Sequence, residues 1–293
     1  MNNNSTAGRV FDVFNIVFLI IIAIVTIYPF WYVTILSLTN VTKVSTSNLY
    51  LLPMFPTIDS YRVALTDNSL LRGILVSGGR VISGVFLCLV TNSMIAYVLS
   101  RPYFLLRKPL NFLVVLTMFV SGGLIPFYLV VKAMGLVNTF WALVIPFGFD
   151  PFGIILFKNY FRSMPSSIDE SAKIDGANDI VIFFRIYVPL SLPIVATMIL
   201  FWAVWFWNDF IWGQFLVMKN NLLPIQSVLY RIIMEAGNLG LMNKFKSRAP
   251  NVGADMESVK AASIILTTIP ILIVYPFLQK YFVKGVMLGA VKE

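Results

Sequence analysis

Side chains that could carry out chemistry are few in this sequence. It contains no histidine and one cysteine, Cys88. The commonest general base and the usual zinc ligands are therefore missing or nearly so. The 13 acidic residues are outnumbered by 22 basic ones, which gives a net charge of +9. We predict no catalytic residue and no metal site in this chain, and we do not expect it to be an enzyme.

The polar stretch 164–179 has the residue pattern of a short helix, a turn and a second helix. Ser167 is predicted as the N-cap of the first helix, with Glu170 completing a capping box. Gly176 can adopt the left-handed conformation that ends such a helix. Asn178 or Asp179 is predicted to cap the next one. The second helix is expected to place four apolar residues on one face: Ile180, Phe183, Phe184 and Tyr187.

A short helix held between two longer ones would form a protrusion. Ala172 gives this protrusion a small face against which another protein could pack, and the carboxylates of Glu170 and Asp175 could meet a basic partner. A well-capped surface loop without any partner would have the same residues. The pattern alone leaves both interpretations open.

The elements that must position this segment are predicted to be membrane spans. Hydrophobic residues make up 58% of the chain and charged residues 12%, whereas soluble domains are about half apolar and a quarter charged. About 20 apolar residues cross a bilayer as a helix. Six stretches qualify, and they predict an all-α polytopic membrane protein rather than a β-barrel: 13–42, 81–100, 109–131, 133–157, 186–208 and 261–279.

Charge gives a modest indication of orientation. The two sides carry nearly equal numbers of basic residues, but the short loop from Arg101 to Lys108 holds three. Short basic loops tend to be cytoplasmic, so both termini are predicted to be cytoplasmic. In so apolar a chain the net positive charge favours anionic lipid headgroups over nucleic acid.

Motif spacing gives the sequence a resemblance to a known family. Glu170-Ser171-Ala172, Gly176 and Ile186-Tyr187-Val188-Pro189 resemble the EAA signature of ABC-importer permeases. Ser171 replaces an alanine of that signature and Val188 a leucine. Trp207-Asn208 and the tail from Gln279 onward also resemble permeases of the maltose-type carbohydrate uptake family. Within it the chain is most similar to permeases for oligosaccharides and polysaccharide fragments, alginate importers included.

This resemblance implies a domain organisation. Residues 1–74 would form the N-terminal tail, first span and first external loop, and residues 75–293 would form the permease core. The core would include three segments outside the membrane: a cytoplasmic coupling loop at 162–185, an external loop at 214–260 and a cytoplasmic tail at 280–293.

It also implies a mechanism and a set of partners. The protrusion would be a coupling helix that docks on a dimeric ATPase subunit. Five residues of this chain would make the contact: Glu170, Ser171, Ala172, Asp175 and Gly176. The sequence has no G-x-x-x-x-G-K-[ST] phosphate loop, so ATP and Mg²⁺ would be used by that ATPase. A solute-binding protein would deliver the substrate, and a second homologous permease would complete a heterodimer in the cytoplasmic membrane.

Three polar residues are candidates for the substrate pathway. Asp150 lies in an otherwise uncharged stretch with prolines and glycines on both sides, which predicts a broken helix lining a cavity. A structural pairing with a donor on the partner permease is the favoured alternative. Asn208 and Asp209 could bind sugar hydroxyls, or could be an interfacial cap. Arg80 is expected to extend to the lipid headgroups.

Two other kinds of transporter remain open at this stage. The chain could be an ABC permease for another small solute, since the EAA loop does not encode the substrate. It could instead be an ion-coupled secondary transporter, although only Asp150 offers a coupling site near the middle of the membrane.

Overall fold

The computed structural model describes residues 6–40, 52–66, 68–235 and 255–290 of the 293-residue chain. Within these ranges the secondary structure is helical and contains no β-strand. An isolated bridge joins Thr39 to Pro56. The predicted all-α class is confirmed.

The α-helices follow one another along the chain, with a π-helix at Phe183–Tyr187 and short 3₁₀ helices at Phe140–Leu143, Ile145–Phe147 and Asn220–Leu222. Their bounds are α1 Thr6–Ser37, α2 Asp59–Thr66, α3 Ser69–Ser100, α4 Arg107–Phe119, α5 Leu124–Ala133, α6 Pro151–Arg162, α7 Ser166–Ile174, α8 Asp179–Ile182, α9 Val188–Leu190, α10 Leu192–Asn208, α11 Ile211–Leu216, α12 Ile225–Glu235 and α13 Met256–Ala290.

Three of the described helices are long and apolar enough to cross a membrane, in α1, α3 and α13. Two broken pairs bring the number to five when each pair is counted as one span. The predicted number of six spans is therefore not confirmed. The stretch predicted as the third span is instead divided into α4 and α5, which meet at Gly123, a glycine with a φ of 81°.

Helix α3 begins at Ser69, twelve residues before the stretch predicted from the absence of charge. The difference arises because Arg72 and Arg80 interrupt the charge-free stretch without interrupting the helix. Arg80 is fully buried and paired within the protein. A charge that is neutralised internally does not end a span, although it hides the span from a composition test.

The predicted fourth and fifth spans are both broken. The 3₁₀ helices at Phe140–Phe147 and helix α6 meet at an angle of 45°, on either side of the Gly148–Asp150 break. The segment Asp179–Leu190 meets α10 at 80°. This bend falls inside the predicted span 186–208, because Ser191 leaves the helical conformation with ψ at 10°.

The chain divides into two compact units. One contains the described residues up to Leu70 and those of 231–268. In it the Ser37 Oγ lies 2.7 Å from the Tyr61 Oη. The other contains 71–230 and the part of α13 from Ile269. The second unit holds the predicted coupling segment and the predicted pathway residues.

A buried aromatic and aliphatic core organises the second unit. Tyr97, Phe161, Phe183 and Tyr187 meet edge to face, with ring centroids 5.1 to 6.5 Å apart. These residues come from the ends of α3 and α6 and from the π-helix. Large buried rings of this kind contribute both apolar area and geometric preference. The core therefore ties together the elements on either side of α7.

Candidate functional site

Helix α7 is the short helix predicted for the segment 164–179. It begins at Ser166 and its N-cap is Pro165, which provides no side-chain hydrogen bond to the helix. The predicted capping box of Ser167 and Glu170 is wrong. The N-cap position falls on Pro165 rather than Ser167, so the helix starts two residues earlier than the serine rule suggests.

The end of α7 has the geometry of a Schellman motif. Gly176 has a φ of 78°. Its N–H donates to the Lys173 carbonyl at 3.1 Å, and the Ala177 N–H donates to the Ala172 carbonyl at 2.9 Å. Asn178 then caps α8 by accepting from the Val181 N–H at 2.9 Å. The predicted left-handed glycine and the predicted asparagine cap are confirmed.

Arg101 fastens α7 to the end of α3. It is only 6% exposed, and its Nη1 forms an ion pair with Asp169 Oδ2. The Tyr187 Oη donates to the same carboxylate oxygen at 2.9 Å. The guanidinium carbon lies 3.9 Å from the Tyr97 ring centroid and 4.4 Å from that of Tyr187. Arg101 thus joins α3, α7 and the π-helix.

The surroundings of Arg101 keep it charged. Burial by itself lowers the pKa of the Arg101 guanidinium, but its interactions with Tyr97, Tyr187 and Asp169 outweigh burial and raise that pKa. The Nε and Nη2 atoms have no hydrogen-bond partner within the described structure. The two aromatic faces supply favourable contacts there instead.

Tyr103 holds the other end of the segment. Its Oη donates to Asp179 Oδ1 at 2.9 Å, and the Lys173 Nζ lies 4.4 Å from its ring centroid. Burial, with a second contribution from the hydrogen bond to Asp179, raises the pKa of Tyr103 to about 12. The phenol therefore keeps its proton at neutral pH and can donate it. The loop after α3 contacts α7 near its start and near its end.

The predicted coupling residues differ in exposure. Glu170, Ser171, Asp175 and Gly176 are exposed, whereas Ala172 is buried in the core of the second unit. An open groove with a volume of about 500 Å³ lies beside α7. Its lining comes from α7, the following turn and the next helical segment: Ser167, Ile168, Ser171, Ala172, Asp175, Ala177, Val181, Arg185 and Ile186. The expectation of one apolar face on the second helix is wrong, since Ile180 and Phe184 are exposed.

The three predicted pathway residues line a single cavity of about 870 Å³. Asp150, Asn208 and Asp209 supply its polar groups. Most of the remaining wall is aromatic: Phe127, Phe147, Phe149, Phe152, Phe201, Trp202, Trp205, Phe206 and Phe210. A cavity with a few polar groups among aromatic faces is suited to a ligand that carries both hydroxyls and apolar ring faces.

The carboxylate of Asp150 is bound by groups of its own chain. It caps α6 by accepting from the N–H groups of Phe152 and Gly153, both at 3.1 Å. The Trp202 Nε1 donates to it at 2.8 Å, and the Asn92 Oδ1 accepts from the Asp150 N–H. No donor from a second subunit is needed to account for this carboxylate. The helix break and the tryptophan together make an aspartate tolerable in this apolar segment.

Arg80 forms a buried ion pair with Asp209, one of the residues that line the cavity. Arg80 is fully buried, and its Nη2 lies 2.8 Å from Asp209 Oδ2. Its Nε donates to the Leu143 carbonyl at 2.9 Å. The guanidinium lies 5.4 to 5.8 Å from the centroids of Phe147, Trp205 and Phe206. The expectation that Arg80 extends to the headgroups is wrong, because an acidic partner lies within reach inside the protein.

Sequence reasoning did not predict the role of the residues that hold α7. These are Arg101, Tyr103, Asp169, Asp179 and Tyr187. Arg101 was noticed only as a positive charge at the end of a span. Two features of the sequence could have indicated this pair: Arg101 directly follows an uncharged stretch, and Asp169 is a second acidic residue beside Glu170. However, 68 residues separate Arg101 from Asp169. Only packing makes them neighbours.

Cys88 is buried, and its Sγ donates to the Phe147 carbonyl at 3.2 Å. Within the described ranges, no group of three or more His, Cys, Asp and Glu side chains is arranged to hold a metal ion.

Comparison with known proteins identifies the class. Residues 69–288 match the family described as the binding-protein-dependent transport system inner membrane component. This match covers most of the chain, so the protein belongs to that family. It is a permease component of ABC importers.

Particular relatives align over nearly the full length. The chain is 41% identical over 286 residues to the polygalacturonan/rhamnogalacturonan transport system permease protein YtcP of Bacillus subtilis strain 168, covering 97% of this chain and 99% of that protein. It is 39% identical to Protein LplC of the same organism, with coverages of 99% and 97%.

A solved structure shares the fold. It is the crystal structure of a bacterial ABC transporter involved in the import of the acidic polysaccharide alginate. The TM-score is 0.88 and the sequence identity 31%, with 96% of this chain and 100% of that chain covered.

Family membership decides among the transport mechanisms left open by the sequence. The chain is a multi-pass membrane permease that works with an ATPase subunit and a solute-binding protein, and it is not itself a hydrolase. Membership of a family for binding-protein-dependent import therefore excludes the alternative of an ion-coupled secondary transporter.

Proposed function

We propose that this subunit translocates oligosaccharides or polysaccharide fragments, acidic ones among them, that a solute-binding protein delivers. The observation that carries the proposal is the 41% identity, over nearly the whole of both chains, to a permease named for polygalacturonan and rhamnogalacturonan transport. The similar fold of an alginate importer supports the same substrate class. The polygalacturonan/rhamnogalacturonan permease and the alginate importer are both named for the transport of sugar polymers. Such polymers present hydroxyls together with apolar ring faces.

In this proposal α7 is the coupling helix. The exposed side chains of Glu170, Ser171 and Asp175 contact a dimeric ATPase subunit, which binds and hydrolyses ATP with Mg²⁺. Ala172 contributes differently, because it is buried and anchors the helix to its own subunit. Gly176 provides the turn that returns the chain toward the membrane.

The aromatic cavity is the proposed contact with the translocated sugar. Asn208 is exposed to it, and the Asn208 Nδ2 already donates to the Val204 carbonyl at 2.9 Å. Asp150 and Asp209 are held by internal partners, so each has a restricted orientation toward the cavity. Fixed polar groups between aromatic faces favour recognition without reorganisation on binding.

The assembly follows the same proposal. A second, homologous permease pairs with this one as a heterodimer in the cytoplasmic membrane. Both termini are cytoplasmic in this proposal, and residues 1–74 precede a permease core at 75–293. The coupling loop is 162–185, the external loop is 214–260 and the cytoplasmic tail is 280–293. Residues 1–5, 41–51, 67, 236–254 and 291–293 lie outside the described residues.

Charge reversal at Glu170 tests the coupling role. In the complete importer reconstituted with its ATPase and binding protein, Glu170→Lys should abolish stimulation of ATP hydrolysis by loaded binding protein. The reason is that a lysine would replace an exposed carboxylate at the contact. Basal ATP hydrolysis and stimulated hydrolysis are measured in the same vesicles.

The matched control is Glu257→Lys, which reverses an exposed carboxylate at the start of α13. It should leave stimulation intact. Undiminished stimulation in Glu170→Lys would contradict the coupling role. The substrate class is tested separately, by identifying the molecules that the purified binding protein retains. If these are not saccharides, the substrate assignment fails while the coupling mechanism is unaffected.

A further inference from the structure

A cluster of cations lies where α4 begins and α6 ends. The Lys158 Nζ donates to Asn111 Oδ1 at 2.6 Å, and this hydrogen bond joins the two helices. Arg107 lies one turn before Asn111 in α4, and Arg162 lies one turn after Lys158 in α6. Residues four apart share a helix face. This spacing places Arg107 and Arg162 near the hydrogen bond between Lys158 and Asn111.

These cations repel one another. Arg162 and Arg107 both act electrostatically on the ammonium of Lys158. Within the described part of the chain, none of the three forms an ion pair, whereas the two buried arginines described above, Arg80 and Arg101, each have an acidic partner. Like charges held together without compensation favour an external anion.

The start of α4 adds to the attraction. Its N-cap is Leu106, which contributes no side-chain hydrogen bond. The N-terminus of a helix carries the positive end of the helix dipole. Arg107 is the first residue of this helix. Its N–H already donates to the Phe104 carbonyl at 3.2 Å and Pro109 has no N–H, so the contribution at this place comes from the positive end of the dipole.

Large apolar side chains flank the cluster on the protein surface. Leu105 is 94% exposed and Leu106 is 58% exposed, immediately before Arg107. Further along α4, Phe112 and Leu113 are also more than half exposed. An acidic protein surface would satisfy the cations but would leave these side chains in water. A lipid satisfies both, with its phosphate at the cations and its acyl chains against the leucines and phenylalanine.

We propose that Arg107, Lys158 and Arg162 form a binding site for the phosphate of an anionic phospholipid headgroup. The site lies at the membrane end from which α7 emerges, since only three residues separate α6 from α7. A bound headgroup would neutralise the repulsion within the cluster and hold α4 against α6. It would thereby stabilise the platform from which the coupling segment projects.

The test compares lipid selectivity in reconstituted importer. The complete complex is placed in phosphatidylcholine vesicles that contain a minor fraction of spin-labelled phosphatidylglycerol, and the immobilised fraction of the label is measured. We expect wild type to prefer phosphatidylglycerol over spin-labelled phosphatidylcholine. Each of Arg107→Gln, Lys158→Gln and Arg162→Gln should lower this preference about fivefold, the effect of about one basic residue at a membrane surface.

Two controls separate a site from general charge. Lys132→Gln removes an exposed cation from the end of α5 and should leave the preference unchanged. Lys158→Arg keeps the charge and should retain most of the preference for phosphatidylglycerol. This expectation holds even if the glutamine variants prove less stable than wild type. If Lys132→Gln lowers the preference for phosphatidylglycerol as much as Lys158→Gln does, the proposal is overturned.

Two further outcomes would also overturn it. If free inorganic phosphate displaces the labelled lipid completely at moderate concentration, the cluster is a site for small anions. If the glutamine variants keep their preference for phosphatidylglycerol but lose the ATPase subunit on purification, the cluster docks a protein. Neither outcome bears on sugar transport, so the proposed function would stand.

Discussion

Single residues decide how α7 is held. Arg101 is 7% exposed in its side chain and Asp169 20%, so their ion pair is shielded from water far more than a surface pair. Removing one member leaves the other charge partly buried without compensation, which costs more than the pair contributes as a whole. Tyr187 shares the carboxylate and connects this effect to the π-helix.

Arg101→Gln should therefore destabilise the subunit by about 2 kcal/mol, in the range of a lost hydrogen bond to a charged group. The change would appear as a lower midpoint of thermal unfolding in detergent. Arg185→Gln, which removes an exposed cation from the same segment, should have little effect. The double variant Arg101→Gln/Asp169→Asn should recover part of the loss. A double variant as unstable as the sum of its two single variants would contradict the pairing.

Helices in this protein end and bend for identifiable local reasons. Proline starts α7, and a left-handed glycine ends it. The π-helix at Phe183–Tyr187 and the 80° bend near Ser191 then redirect the chain into α10. The extra residue of a π-turn shifts the face of the helix, which explains why Phe183 and Tyr187 are buried while Phe184 is exposed.

Gly176→Val should impair the end of α7. A β-branched residue at a φ of 78° costs about 1–2 kcal/mol, and the Schellman hydrogen bonds would be strained. Gly176→Asn should be tolerated, because asparagine adopts this conformation more readily. We expect stimulated ATP hydrolysis in the reconstituted importer to fall several-fold in the valine variant only. Equal activity of both variants would show that the turn conformation is unimportant for coupling.

At the level of the whole molecule, topology connects the two candidate surfaces. The coupling segment follows α6 directly, whereas Asn208 and Asp209 lie at the far end of α10. Helix α10 has 17 residues and rises about 25 Å, close to the thickness of a hydrocarbon core. The core of the second unit contains both Ala172 of α7 and Trp202 of the cavity wall, and so connects the two surfaces physically.

Labelling with a membrane-impermeant maleimide tests this topology. Cys88 is buried and can be replaced by alanine, which leaves a background without thiols. Ser167→Cys in α7 should then react only after the cells are permeabilised, and Asn221→Cys beyond α11 should react in intact cells. Both positions are exposed in the chain. The opposite pattern would place α7 outside the cell and would exclude contact with an ATPase.

Much of this protein could be predicted because the relevant physics is local. Charge-free stretches predict helices in lipid, since a spanning segment must satisfy its own backbone hydrogen bonds. A glycine and an asparagine at fixed spacing predict the turn after α7. The partners of buried charges could not be predicted in this way. Arg80 meets Asp209 across 129 residues and Arg101 meets Asp169 across 68. Such pairs depend on which helices pack together, and packing is decided by shape and burial over the whole unit rather than by any neighbouring residues.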